Sequence, residues 1–107
     1  MVRVIHFFNL KPGADEAQML LLVNQGLRDL ARPYGCLERK TWKLLDASAQ
    51  GEPAHAATYL NEALWPNQQA ADAFAHATQN EEAKAFVAEL QSGIETVLTV
   101  RYVDEAG

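Results

Sequence analysis

Alternation opens the chain. Between Val2 and Leu10 nearly every side chain is β-branched, aromatic or aliphatic, which is the composition of a strand. One face carries Val4, His6, Phe8 and Leu10 and the other Arg3, Ile5, Phe7 and Asn9; both are largely apolar, so both need cover. Pro12-Gly13 marks a turn, after which the period changes to that of a helix. Leu20, Val23, Leu27 and Leu30 recur at helical spacing behind Asp15, which is placed to cap the helix with Gln18 in the reciprocal position. Leu21 and Leu22 widen the apolar face and read as core or as the wall of a pocket. Pro33 and Gly35 end the helix, and Gly26 inside it costs about 1 kcal/mol relative to Ala.

Strand character returns over Leu37 to Leu45, centred on Trp42, and again over Ala56 to Trp65. The polar stretch Asp46 to His55 between them has loop composition. Pro66-Asn67 starts a second helical region carrying Ala70, Ala71, Phe74 and Ala75. Asn80 is placed to cap its continuation, in which Ala83, Phe86, Val87 and Leu90 share a face and Gly93 closes the helix. Thr96 to Val103 reads as the last strand and Asp104 to Gly107 as a tail. The order βαββαβ, without a linker, predicts one α+β domain over 1–107. Its fold is ferredoxin-like, an antiparallel four-stranded sheet with helices on one face. One helical layer leaves the other sheet face bare, so a homodimer joined through sheet faces is expected.

Composition narrows the partners. The 107 residues are 49% hydrophobic and carry a formal charge of −5, with no Lys/Arg stripe, which argues against nucleic acid. The longest apolar run, Met19 to Val23, is far too short for a membrane span, and the strand-like N-terminus lacks a signal-peptide layout, so a cytoplasmic location is expected. The single cysteine, Cys36, excludes an intrachain disulfide, and no Cys/His pair has metal-ligand spacing, so no metal is expected. Cys36 has no basic partner nearby in sequence and reads as inert.

Among the polar residues, His6 reads either as an acid/base group suited to proton transfer near neutrality or as a hydrogen-bonded core histidine. Arg101, flanked by apolar strand residues, needs a partner: a ligand carboxylate or enolate oxygen, or Glu62 or Glu38. Tyr59 and Asn61 are two apart on a strand and share a face. Trp42, Trp65 and Phe74 suit either an aromatic ligand or the core; His55 and His76 read as solvated and Asn80 as a helix cap.

The opening His6-Phe7-Phe8-Asn9-Leu10-Lys11-Pro12-Gly13-Ala14-Asp15-Glu16 resembles that of dimeric α+β barrel proteins of the stress-responsive and plant polyketide-cyclase type. Leu64-Trp65-Pro66-Asn67 leading into Ala70 to Phe74 is similar to their strand-to-helix junction, and Glu95 to Tyr102 to their last strand, with Arg101 where an acidic residue is usual. The resemblance covers nearly the whole chain. It implies two sheets facing each other across a dimer. It also implies a pocket between each sheet and its helices, faced by His6, Phe8, Tyr59, Asn61, Phe74, Asn80, Thr99 and Arg101. The positions matching the plant cyclases' catalytic tyrosine and histidine are Phe74 and Asn80, neither of which moves a proton, so the same chemistry at the same groups is not implied.

A narrower resemblance, carried by chain length, acidity and Asn61-Glu62-Ala63-Leu64-Trp65-Pro66-Asn67, is to the RedY-like (HapK-type) family of prodiginine pigment clusters. It implies a role in forming or carrying a methoxy-bipyrrole intermediate. On this reading a flat hydrophobic ligand binds without a cofactor, with His6 as base and Arg101 or Asn61 steadying negative charge. The alternatives are a non-catalytic stress-response binding module and a cofactor-free monooxygenase or polyketide cyclase of the same superfamily.

Overall fold

The computed structural model describes residues 1–48 and 56–105. His55 and part of the polar loop expected before it lie outside the described residues. Strand β1 spans Val2–Leu10, and Asp15 then caps helix α1, Glu16–Leu21, by accepting from the Gln18 amide at 3.1 Å. A π-helical turn over Leu22–Gly26 joins α1 to α2, Leu27–Ala31, and a 3₁₀ turn over Arg32–Tyr34 ends at Gly35, whose φ of 95° suits glycine. Strands β2, Glu38–Lys43, and β3, Tyr59–Trp65, follow. Asn67 caps α3, Gln68–Ala77, by accepting from the Ala70 amide at 2.8 Å; then come α4, Glu81–Gly93, and β4, Ile94–Val103.

The strands form one sheet in the order β2-β3-β1-β4, every neighbour antiparallel. This is the ferredoxin-like arrangement, in which β3 lies between the two strands of the first βαβ unit and β1 between those of the second. Val2 and Phe8 of β1 and Tyr59, Ala63 and Trp65 of β3 are buried under the helices, in clusters with Met19, Val23, Ala31, Ala71 and Phe74. The opposite face carries Phe7, Trp42, Leu60, Leu98 and Tyr102, of which Trp42, Leu98 and Tyr102 are 47%, 54% and 61% exposed. Among the described residues no helix is long and apolar enough to cross a membrane.

Several local expectations change. Leu21 belongs neither to the core nor to a pocket wall: it is half exposed, and only Leu22 packs partly against the core. Gly93 does not close α4 in a left-handed conformation; the chain passes straight into extended Ile94, and glycine is needed because a Cβ there would overlap the Met19 thioether. Gly26 is likewise a packing requirement, since an added Cβ would lie 2.5 Å from the Phe86 ring of α4. Gly26→Ala is therefore expected to destabilise the protein by about 1–3 kcal/mol, as overpacking does, against the gain of about 1 kcal/mol that helix propensity alone would give. Thermal or urea denaturation gives the sign.

Candidate functional site

Between the sheet and the helices lies a cavity of about 360 Å³. Val4, His6 and Phe8 of β1, Asn61 and Trp65 of β3 and Arg39 of β2 form its floor. Val23, Leu27, Phe74, Val87 and Leu90 line it from the helices. Thr96, Thr99 and Arg101 of β4 border its edge. Thr96 and Thr99 are three apart, yet both reach the cavity, because a bulge at Val97 shifts the register between Phe7↔Leu98 and Phe8↔Thr96. Val23 comes from the π-helical turn, an irregularity often found where helices border functional sites.

His6 sits at the centre of the floor, opposite Asn61 on one neighbouring strand and Thr99 on the other. Its Nδ1 lies 3.0 Å from the Thr99 hydroxyl, which leaves Nε2 for a ligand. Burial, reinforced by the positive charge of Arg39, lowers its pKa to about 4, so the ring is neutral at neutral pH. Asn61 is 2% exposed; its amide nitrogen donates to Thr41 Oγ1 at 2.8 Å, and its carbonyl oxygen is buried without a partner. Phe74 packs against Trp65, with ring centroids 5.2 Å apart, so both aromatics form cavity wall and core at once. Trp42 is on the open face, its indole N–H donating to Glu62 at 3.3 Å.

Arg101 does not pair with Glu62 or Glu38. Its guanidinium reaches Asp72 of α3 at 2.8 Å and ties β4 to that helix at the cavity edge, whereas Glu62 projects from the opposite sheet face. Two expected pocket residues lie elsewhere. Tyr59 is on the helix side but behind Phe8, stacked with centroids 5.3 Å apart, and its hydroxyl donates to Glu16 of α1. That hydrogen bond raises the tyrosine pKa and lowers the carboxylate's. Asn80 holds the cap position of α4 without a side-chain capping bond and borders a separate cavity of about 250 Å³, with Phe74 on both. His76 is exposed on α3.

The residue that sequence reasoning missed is Arg39. Flanked by Glu38 and Lys40 it looks like part of a solvated charge run, but strand alternation turns it inward while both neighbours are exposed. Cys36, three residues earlier in the chain, lies against it, so the cysteine does have a basic partner close in sequence, contrary to expectation. Among the described residues no three His, Cys, Asp or Glu side chains are grouped closely enough to hold a metal ion. The arrangement offers a neutral imidazole, a buried cation and a half-satisfied amide at the base of an apolar cavity.

No protein-family model and no curated protein sequence matches the chain. Solved structures do. HapK from Hahella chejuensis is similar with a TM-score of 0.68 and 15% identity, over 100% of this chain and 95% of that one. SnoaB from Streptomyces nogalater, a cofactor-independent oxygenase, is similar with a TM-score of 0.69 and 14% identity, over 97% and 92%. A dimeric ferredoxin-like protein of unknown function from Thermobifida fusca has a TM-score of 0.62 and 14% identity, over 94% and 88%. At such identities the likeness establishes the ferredoxin-like fold.

Proposed function

We propose that this protein is a homodimer of secondary metabolism that takes a flat, hydrophobic aromatic intermediate between its sheet and helices. It acts on that intermediate without a cofactor, His6 Nε2 accepting a proton while Arg101, or Asn61 with its amide turned so that the nitrogen faces the cavity, steadies the negative charge that develops. The observation that carries the reading is the cavity itself: apolar walls with His6, Asn61 and Arg39 converging on the floor. The methoxy-bipyrrole of prodiginine pigments is the intermediate to which the sequence resemblance points, and the likeness in fold to HapK supports it. The likeness to SnoaB favours a second reading, oxidation of an electron-rich phenol by dioxygen.

The bare sheet face supports the dimer. Phe7, Trp42, Leu44, Leu60, Val97 and Leu98 surround a depression of about 290 Å³ there, a surface too apolar to leave to water. The Thermobifida fusca protein of the same fold is itself dimeric, which supports this reading.

Ligand binding is testable through Trp65, whose indole is 1% exposed in the cavity wall. In a Trp42→Phe background, a methoxy-bipyrrole is expected to quench Trp65 emission saturably, and product analysis then separates turnover from carriage. Oxygen uptake with a phenolic substrate supports the second reading, and binding without any turnover supports a non-catalytic module.

A further inference from the structure

Arg39 lies opposite Ala63 on the helix-facing side of β2, with its guanidinium carbon 5.7 Å from the centre of the Phe74 ring. Its Nε and Nη1 are buried and make no hydrogen bond, and no described carboxylate lies within 4.0 Å of the guanidinium. Arg101, at the edge of the same cavity, shows the contrast: Asp72 already holds it. A buried cation without a counter-charge is costly, and guanidinium does not shed its proton to escape the cost. Burial lowers the Arg39 pKa; the neighbouring Cys36 sulfur opposes the shift but leaves both nitrogens without an acceptor. Asn61 places a second orphaned group, its carbonyl oxygen, on the same floor. Turning that amide over would only exchange an unsatisfied acceptor for unsatisfied donors. Protein groups leave these atoms of both residues unpaired, so the floor offers polar atoms to a ligand or to ordered water, and the Arg39 nitrogens offer donors to an acceptor.

We propose that Arg39 is the anion receptor of this cavity and that the aromatic ligand carries an ionised oxygen, a carboxylate or a phenolate, which accepts from the guanidinium. The proposal rests on the cavity being the ligand site, and it narrows the ligand from any flat aromatic to an acidic one. The rings then lie among Phe74, Trp65 and the aliphatic side chains, while the charged end meets the floor beside His6.

Calorimetric titration with 2-naphthoate and its neutral isostere 2-naphthamide separates this proposal from the reading beneath it. The acid is expected to bind the wild-type protein about 10–100-fold more tightly than the amide, the range of one charge-assisted hydrogen bond in a buried setting. Arg39→Met, which keeps the stem and drops the charge, should abolish that preference and retain amide binding. Lys84→Met, on the exposed side of α4 and outside the cavity, should preserve the preference. Equal affinities of wild type for acid and amide overturn the anion receptor while leaving the cavity as the ligand site, and this comparison needs no variant. A preference that survives Arg39→Met also overturns it. If neither compound binds, the cavity reading fails and this proposal with it.

Discussion

A single charge at Leu98 is expected to turn the proposed dimer into a monomer. Leu98 pairs with Phe7 on the bare sheet face and borders the depression that Trp42 and Leu60 share. In a two-fold interface one substitution enters twice, once from each protomer. A carboxylate left unpaired in an apolar interface costs about 3–5 kcal/mol, so two copies of Leu98→Asp should weaken association roughly 10⁴–10⁷-fold. Sedimentation velocity at micromolar concentration should show wild type as a dimer and the variant as a monomer. The site predicts its own control: Lys84 on α4 is exposed and lies away from the sheet, so Lys84→Glu should leave the dimer intact. A wild-type monomer would contradict the dimer and leave the exposed Trp42, Leu98 and Tyr102 open to water.

The second large effect belongs to His6. His6→Ala is expected to lower turnover about 10²–10⁴-fold, the usual loss when an acid/base group is removed. His6→Gln should do no better, because an amide does not accept the proton. The fold should survive at neutral pH, since the Thr99 hydroxyl that His6 meets belongs to an exposed residue and water can replace the imidazole there. The pH dependence provides a separate signature. The folded-state pKa of about 4 lies below the ordinary 6.5, so between these values the unfolded chain binds more protons than the folded one. Stability from this group is therefore complete above pH 6.5 and lost as pH falls towards 4, roughly 3 kcal/mol in all. His6→Ala should flatten that part of the profile relative to wild type. Parallel acid denaturation of the two proteins would contradict a buried neutral His6, and unchanged turnover in the folded variant would remove the base.

How far the sequence reaches differs from element to element. The strands and helices were legible because burial imposes their periods: alternation over Val2 to Leu10 and spacing from Leu20 to Leu30 reflect the same sheet and helix faces seen in the structure. Capping was legible at Asp15 because it is local, a side chain reaching an amide three residues away. Arg39 was not legible. Its neighbours in sequence are charged and solvated, whereas its neighbours in space are Phe74, Cys36 and the cavity. Tyr59 was misplaced for a related reason, since alternation gives its face but not its partner. Only the meeting of β3 with α1 shows that Glu16 draws the hydroxyl away from the cavity. The Val97 bulge defeats simple alternation in β4 and brings Thr96 to the same side as Thr99. Gly26 was read as a propensity cost, because Phe86 approaches it only after both helices have packed.

Nuclear magnetic resonance of the isotope-labelled protein titrated with 2-naphthoate shows residue by residue whether the ligand sits between the sheet and the helices. Shift changes are expected to concentrate on the cavity, at His6, Val23, Asn61, Phe74 and Thr99, with saturation at one ligand per protomer. Changes confined to Phe7, Trp42, Leu60 and Leu98 on the bare sheet face, or no specific changes at all, would contradict it.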